Sequence, residues 1–310
     1  MLHTVTLNPA LDKTATIKGF ALDSVNRISE LREDPGGKGI NVSKVADKLG
    51  TSSLAHVILA GQTGKKIELA LKDMGIEVRA FEAAGETRTN LKIVDPELKT
   101  NTDVNEPGPN VTGDQLAAFT KALTNDVALG DVVVLAGSLP KGLGADTYAV
   151  LVAALRSLGA KVFLDADGEP LRVALKARPY LIKPNDHELA GLVGHELGSV
   201  DEIVQAAKEL VSTGIERVVV SMGGDGALFV TSDRVLFAHA PKVKVGSTVG
   251  AGDSVVAALA HAETVGMSLD EAARLGVATG SANVMCSGTQ AADLEVIEGL
   301  LDQVTIEELS

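Results

Sequence analysis

Short apolar segments alternate with amphipathic segments along most of the chain. Apolar runs that stop at glycine, proline or polar residues predict strands, and runs with helical periodicity predict helices. The predicted strands cover residues 2–7, 53–59, 76–81, 131–136, 161–164, 180–183 and 217–220, and the predicted helices cover residues 40–49, 65–74, 112–123, 145–158, 200–212 and 269–284. Strands and helices that alternate in this way predict a mostly parallel sheet with helices on both faces.

Other segments depart from this alternation. Residues 13–17 and 26–31 predict two further strands, and residues 88–94 and 99–105 predict a hairpin that turns at Asp95-Pro96-Glu97. Period two places Arg88, Asn90 and Lys92 on one face of this hairpin, and Thr89, Leu91 and Ile93 on the other. A hairpin with one polar and one apolar face is typical of a sheet that covers a site with its polar face and packs against a partner with its apolar face. An ordinary solvent-exposed hairpin is the alternative. Residues 227–231 and 235–240 predict antiparallel strands at a sheet edge, and the residues after 284 predict a helical tail.

Composition narrows the classes of protein. The chain has 310 residues, of which 45% are hydrophobic, and no linker or repeat divides it, so one large interrupted domain is expected. A net charge of −13 excludes the general basic surface that binds nucleic acid or an anionic membrane. A single cysteine, Cys286, allows no internal disulfide and fits a reducing, cytoplasmic location. No apolar run approaches the roughly 20 residues of a membrane helix.

The first candidate site is the stretch Thr248-Val249-Gly250-Ala251-Gly252-Asp253-Ser254, which precedes a short apolar run of good helix formers. The first turn of a helix has unpaired N–H groups and the positive end of the macrodipole, and glycines let an anion approach them closely. Asp253 would lie beside that anion, which suits a base for phosphoryl transfer to an alcohol. A helix start with a capping aspartate is the alternative.

Other polar residues also follow predicted strands or glycine turns. The turn Gly36-Gly37-Lys38-Gly39 leads into a helix and offers Lys38 and Asn41 to a ligand. Ser138 follows the strand at 131–136, and ligands of open α/β sheets lie beyond the carboxyl ends of strands. Asn185 and Glu188 share one face of a helix start and carry oxygen ligands suited to Mg²⁺, although a capping pair is the alternative.

Taken together, these motifs resemble the PfkB/ribokinase family of carbohydrate kinases, and the resemblance covers nearly the whole chain. Residues 36–42 and 248–254 are its most specific parts. Gly137-Ser138-Leu139-Pro140, Lys183-Pro184-Asn185 with Glu188, and residues 221–226 lie between them in the family order. The resemblance implies a ribokinase-like three-layer α/β/α sandwich, in which one kinase domain over residues 1–310 is interrupted by β-sheet lid segments at about 11–33 and 86–105. In related kinases this lid often joins two subunits, so a homodimer through the lid is expected.

The resemblance also implies a role for each site residue. Asp253 would be the general base, and Gly250, Ala251 and Gly252 would form the anion hole. Asp12, Gly37, Lys38 and Asn41 would bind the sugar, and Arg88 and Ser138 its existing phosphate. ATP would bind Lys183, Asn185, Ser221, Gly223, Gly224, Gly226 and Asn283, and Glu188 with Asn185 would organise Mg²⁺.

Within the family, Asn8-Pro9-Ala10-Leu11-Asp12, Glu86-Thr87-Arg88 and residues 137–140 resemble the bacterial hexose-phosphate kinases. The activity expected from this resemblance is ATP-dependent phosphorylation of a ketohexose phosphate. Fructose 1-phosphate is the favoured acceptor, which would give fructose 1,6-bisphosphate; tagatose 6-phosphate and fructose 6-phosphate are the alternatives. Among other classes, a nicotinamide dehydrogenase lacks support because no Gly-x-Gly-x-x-Gly follows the first strand. A non-catalytic sugar-phosphate-binding protein would have little use for Asp253 and the anion hole.

Overall fold

A computed structural model describes residues 1–286 and 290–309 of the chain. The strands in this part are β1 (Leu2–Thr6), β2 (Ala10–Thr16), β3 (Glu30–Gly36), β4 (Ser53–Ala60), β5 (Glu77–Ala83), β6 (Arg88–Asp95), β7 (Thr100–Asn105), β8 (Val132–Ala136), β9 (Lys161–Asp165), β10 (Leu181–Ile182), β11 (Arg217–Ser221), β12 (Gly226–Val230), β13 (Val235–His239) and β14 (Thr305–Leu309). The helices are α1 (Lys38–Lys48), α2 (Gly61–Asp73), α3 (Gly113–Asp126), α4 (Thr147–Ser157), α5 (Gly168–Ala174), α6 (Asp186–Val193), α7 (Val200–Ser212), α8 (Ala251–Val265), α9 (Leu269–Asn283) and α10 (Leu294–Leu301).

The central sheet has the strand order β14-β13-β12-β11-β10-β9-β8-β1-β4-β5. The pairings from β11 to β5 are parallel, and those from β11 to β14 are antiparallel. Strands such as β8 are buried along their whole length because helices cover both faces. Helices α3–α7 pack on one face, and α1, α2 and α8–α10 pack on the other. The predicted three-layer sandwich with a mostly parallel sheet is confirmed.

A second, smaller sheet has the order β3-β2-β6-β7, and β2 and β6 pair in parallel. Its polar face carries Asp12, Asn90 and Lys92, which line an open cleft of about 250 Å³ that Val249 also borders. This face therefore looks toward the loop before α8, as the alternation of polar side chains predicted. On the opposite face, which was predicted to meet a partner, Ile93 is instead buried within the chain and Leu91 is half-buried.

The third strand was predicted at residues 26–31 and is found four residues later, as β3. Its register with β2 runs from Thr16 opposite Glu30 to Ala10 opposite Gly36. Residues before it form a loop, which the Asn26 side chain closes: its Oδ1 accepts from the Ala21 amide at 3.0 Å, and its Nδ2 donates to the Ala21 carbonyl at 2.8 Å. Local side-chain bonding of this kind competes with strand pairing.

The predicted helical tail is correct for α10 but wrong for the last residues. β14 pairs antiparallel with β13, with Thr305 opposite His239 and Leu309 opposite Val235. Without β14, β13 would present an unpaired backbone edge, and pairing satisfies its N–H and C=O groups. None of the helices within residues 1–286 and 290–309 is long and apolar enough to cross a membrane.

Candidate active site

The carboxyl ends of four neighbouring parallel strands form one edge of the central sheet. Ser138 follows β8, Asp165 ends β9, Lys183 follows β10 and Ser221 ends β11. Parallel strands bring these ends together because each helix crossover returns the chain to the opposite edge. The glycine-rich turn before α8 reaches the same edge, so the residues predicted to act on a phosphoryl group share one region of the fold.

The N-terminus of α8 is shaped for an anion. Gly250 precedes the helix with a φ of 83°, a left-handed conformation that favours glycine. The amides of Gly252 and Asp253 donate no hydrogen bond within the described part of the chain. A Cβ added to Gly252 would lie 3.2 Å from Lys183 Nζ, so this ammonium group lies close to the same turn. Unpaired amides and a nearby cation are the features that stabilise a negative charge.

Asp253 is a buried carboxylate within this turn. Asn41 Nδ2 donates to its Oδ2 at 2.8 Å, which fixes the orientation of the carboxyl group. Burial, reinforced by the negative charge of Asp165, raises the pKa of Asp253 to about 6, against the lowering effects of the Asn41 hydrogen bond, Lys38 and Lys183. A carboxylate that titrates this close to neutral pH accepts a proton more readily than an ordinary aspartate.

Asp165, which the sequence analysis did not select, lies between two lysines. Its Oδ1 is 3.4 Å from Lys38 Nζ and 3.8 Å from Lys183 Nζ, and its side chain is 3% exposed. Burial lowers the pKa of Lys38, but the charges of Asp165 and Asp253 outweigh burial and raise it, so Lys38 stays charged. Asp165 is the last residue of its strand, and Ser138 and Lys183 follow theirs. The rule that ligands lie beyond the carboxyl ends of strands could therefore have pointed to Asp165 as well.

The predicted sugar side is built from close backbone contacts. A Cβ at Gly36 would lie 2.0 Å from Asp12 Oδ2, and a Cβ at Gly39 would lie 2.6 Å from the Val5 carbonyl oxygen. Gly37 has a φ of 118°, so the turn into α1 requires glycine there as well. Asn90 Nδ2 donates to Asp12 Oδ1 at 2.9 Å, which ties β6 to β2 within the small sheet and holds Asp12 beside Gly36.

Arg88 and Ser138 both contact Asn8, the residue that follows Leu7 after β1. The Arg88 guanidinium donates through Nη2 to the Asn8 carbonyl at 3.1 Å and through Nη1 to the Glu106 carbonyl at 3.3 Å. Asn8 Nδ2 donates to Ser138 Oγ at 3.2 Å. The two residues predicted to hold the sugar's phosphate are thus linked through one asparagine, which the sequence analysis quoted only as part of a motif.

The residues predicted to bind the nucleotide lie on the other side of Asp165. The Ser221 amide donates to the Pro184 carbonyl at 3.0 Å, so the segment after β11 lies beside the segment after β10. Gly223 has a φ of 56°, and a Cβ at Gly223 or Gly224 would meet nothing within 4 Å. Asn283 Oδ1 is buried and has no hydrogen-bond partner within the described residues. The open space around Gly223 and Gly224 leaves room for a ligand beyond the end of β11.

Asn185 and Glu188 form a capping box at the start of α6. Asn185 Oδ1 accepts from the Glu188 amide at 2.7 Å, and Glu188 Oε2 accepts from the Asn185 amide at 2.9 Å. The capping pair is present, and a role in binding Mg²⁺ is compatible with it, because the cap uses only one carboxylate oxygen of Glu188. Described residues contain no cluster of three or more His, Cys, Asp or Glu side chains that could hold a metal. Mg²⁺ usually keeps waters and needs only one or two carboxylates beside phosphate oxygens, so Glu188 suits it.

Comparison with known proteins identifies the family of this chain. The profile of pfkB family carbohydrate kinases matches residues 5–296. The chain belongs to that family. It is 40% identical to a 1-phosphofructokinase of Bacillus subtilis over the full length of both chains. It is 41% identical to a 1-phosphofructokinase of Rhodobacter capsulatus, over 89% of this chain and 88% of the relative.

A solved relative is phosphofructokinase-2 from Escherichia coli in complex with fructose-6-phosphate. Its structure matches with a TM-score of 0.92 at 32% identity, over 97% of this chain and 98% of the relative. A tetrameric inhibited form of the same protein matches with a TM-score of 0.91. The prediction of a sugar-phosphate kinase, a phosphotransferase with an alcohol acceptor that uses ATP with Mg²⁺, is confirmed by this family membership.

Proposed function

We propose that this kinase transfers the γ-phosphoryl group of ATP to fructose 1-phosphate, giving fructose 1,6-bisphosphate, with Asp253 as the general base. The observation that carries the proposal is the buried Asp253 carboxylate, held by Asn41 within the open amide turn of α8. The names of the relatives from Bacillus subtilis and Rhodobacter capsulatus support the choice of sugar.

The proposed reaction uses groups already present at this edge of the sheet. Asp253 accepts the proton of the attacking hydroxyl group, and its raised pKa favours that acceptance near neutral pH. The amides of Gly252 and Asp253, with Lys183 beside them, stabilise the charge of the transferred group. ATP supplies that group when bound along the segments after β10 and β11, and Glu188 has a carboxylate oxygen for Mg²⁺. ATP as co-substrate also fits the proposed cytoplasmic location.

The existing phosphate of the sugar is assigned to Arg88 and Ser138. The Arg88 guanidinium donates three hydrogen bonds to the carbonyls of Asn8 and Glu106. These bonds hold its planar group at the edge of the cleft. A guanidinium has five N–H donors, so two remain for an anion. Asp12 and Asn41 would bind sugar hydroxyl groups beside Asp253. Fructose 6-phosphate, which is bound in the relative from Escherichia coli, is the second candidate acceptor.

The test compares kcat/KM for fructose 1-phosphate, fructose 6-phosphate, tagatose 6-phosphate and fructose with saturating ATP. We expect fructose 1-phosphate to be preferred, and a clear preference for either 6-phosphate would reject the proposed sugar. Arg88→Ala should raise the KM for the sugar phosphate and leave the KM for ATP nearly unchanged, since it removes charge-assisted hydrogen bonds worth about 1.5–3 kcal/mol each. Equal use of unphosphorylated fructose would reject the phosphate site itself.

We also propose a homodimer through the small sheet. Its outer face and the β2–β3 connection expose apolar side chains, namely Leu22, Val25, Ile28, Leu31 and Val104, of which Leu22 is 87% exposed. Apolar side chains gathered in one region favour a protein partner. Sedimentation velocity at micromolar concentration should give a dimer for the natural chain and a monomer for Val25→Glu/Val104→Glu. A monomeric natural chain would contradict the proposal.

A further inference from the structure

We propose that Asp165 is a positioning residue for phosphoryl transfer, because its buried carboxylate holds the ammonium groups of Lys38 and Lys183 together in front of α8. This inference rests on the proposed role of Asp253 and adds a residue to it. Lys38 enters from the glycine turn at the start of α1, and Lys183 follows β10, so the two lysines come from distant parts of the chain. Asp165 Oδ1 lies within 4 Å of both ammonium groups.

Two of these three charged side chains are deeply buried, and that of Lys38 is partly exposed. Lys183 and Asp165 have side-chain exposures of only 6% and 3%, and an ion pair this deep is held by geometry as well as by charge. Without Asp165, two cations would repel each other beside an open amide turn, and each would adopt other rotamers. A long lysine side chain carries about 2 kcal/mol of rotamer entropy, so a fixed partner matters for its placement.

The position of the pair matters because both lysines face the region where charge develops. Lys183 Nζ lies next to Gly252, and the charge of Lys38 acts on Asp253. Asp165 itself makes no hydrogen bond to Asp253 in the described part of the chain, so it acts on the base through its charge and through the lysines. Loss of position by about 1 Å at such groups can cost about 10²-fold in rate.

Asp165 also acts on the titration of Asp253. After burial, the negative charge of Asp165 is the larger cause of the raised pKa of Asp253, and Asn41, Lys38 and Lys183 oppose it; Lys44 from α1 also faces this carboxylate. Removing the charge of Asp165 should therefore lower the pKa of Asp253. The acidic limb of kcat/KM against pH should then move to lower pH, a change that a purely structural role of Asp165 would not produce.

The experiment compares Asp165→Asn with Asp167→Asn, which removes the same charge from an exposed position two residues later. For Asp165→Asn we expect a 10- to 100-fold lower kcat and an acidic limb displaced to lower pH. For Asp167→Asn we expect values within about twofold of the natural enzyme, because solvent screens an exposed charge. An unmoved limb, or equal effects in both variants, would overturn the proposal.

A double-mutant cycle tests the role of the lysines. If Asp165 acts through Lys38, the loss of kcat caused by Asp165→Asn should be several-fold smaller in a Lys38→Gln background, and additive losses would overturn the proposal. Should Asp165→Asn fail to fold, Asp165→Glu decides, because it keeps the charge but moves it. That variant should keep the natural acidic limb with a lower kcat, whereas an unchanged kcat would reject positioning. A natural enzyme without any acidic limb would instead reject the role of Asp253.

Discussion

The carboxyl ends and the amino ends of the parallel strands, here called the carboxyl edge and the amino edge of the central sheet, both bury ionisable groups. The two edges differ in how these groups are paired. At the carboxyl edge, Asp253 accepts a hydrogen bond from Asn41 and lies beside amides that have no partner in the described residues. At the amino edge, His3 lies between two partners: its Nδ1 is 3.1 Å from His56 Nε2, and its Nε2 is 3.2 Å from Asp131 Oδ2. A neutral His3 that donates to Asp131 accepts from His56, so both ring nitrogens of His3 have partners.

This difference separates a site built for stability from one built for chemistry. Buried polar groups stabilise a fold only when they are paired, and an unpaired group costs free energy. The amino edge follows that rule. The carboxyl edge instead keeps the Gly252 and Asp253 amides and the Oδ1 atom of Asn41 without partners in the described residues, which is the cost of a surface that suits a charged ligand.

The largest expected effect is on turnover. Asp253→Asn removes the proposed base, so kcat should fall by about 10²–10⁴-fold while ATP still binds. The same variant should unfold at higher denaturant concentration at pH 7, because ionised Asp253 is held against a raised pKa of about 6. The difference from the ordinary value corresponds to on the order of 3 kcal/mol. Urea unfolding and steady-state rates check both expectations.

The control for that variant is Asp201→Asn, in the exposed first turn of α7. It should change neither kcat nor the free energy of unfolding beyond about 0.5 kcal/mol. If Asp253→Asn lost stability as well as activity, the carboxyl edge would not differ from the amino edge in the way proposed.

The opposite result is expected at the amino edge. Asp131→Ala removes the acceptor of His3 and of the Ala128 amide, which donates to Asp131 Oδ2 at 2.8 Å. It should lower the free energy of unfolding by about 2 kcal/mol, since a buried donor is left unpaired. The KM values and kcat of the folded enzyme should stay within about twofold of the natural enzyme. A loss of kcat with unchanged unfolding would mean that the amino edge takes part in the reaction.

A smaller effect appears in how stability depends on pH. Burial, together with the charge of His3, lowers the pKa of His56 to about 4, so the unfolded chain binds more protons between pH 6.5 and 4. Stability from His56 is thus lost as pH falls through that window. Asp253 has the opposite sign: its raised pKa means that the folded chain binds more protons between about 4 and 6, so it gains stability as pH falls.

The two signs can be separated by unfolding at pH 7 and pH 4.5. Asp253→Asn removes the stability that the natural chain gains from this group as pH falls. The free energy of unfolding of the variant should therefore decrease more between pH 7 and pH 4.5 than that of the natural chain. His56→Gln removes the group whose protonation destabilises the folded chain at low pH. The free energy of unfolding of this variant should therefore change less between pH 7 and pH 4.5, whether the variant is more or less stable than the natural chain at pH 7. Parallel pH profiles for all three proteins would contradict the opposed titrations.

The sequence predicted the layered fold well because each strand of the parallel sheet is apolar throughout and each helix is periodic. It missed the end of the chain, since the pairing of Thr305–Leu309 depends on β13 and not on local preference. It placed β3 too early because the Asn26 side chain closes a loop that alternation alone does not reveal. In the proposed site, motifs selected Asp253 and Lys183, but Asp165 belongs to no motif, and its proposed role depends on two lysines distant in sequence.

The smallest expected effect concerns two capping boxes of the same chemistry in different places. Glu188 caps α6 at the carboxyl edge, and Glu271 caps α9 by accepting from the Ser268 amide at 2.8 Å. Glu188→Ala and Glu271→Ala should each lower the free energy of unfolding by about 1 kcal/mol, because each leaves the amide of the N-cap residue without its partner. If Glu188 also holds Mg²⁺, Glu188→Ala alone should raise the Mg²⁺ concentration that gives half-maximal activity. Titration of activity with Mg²⁺ in both variants checks this, and an equal Mg²⁺ requirement would leave Glu188 with the capping role alone.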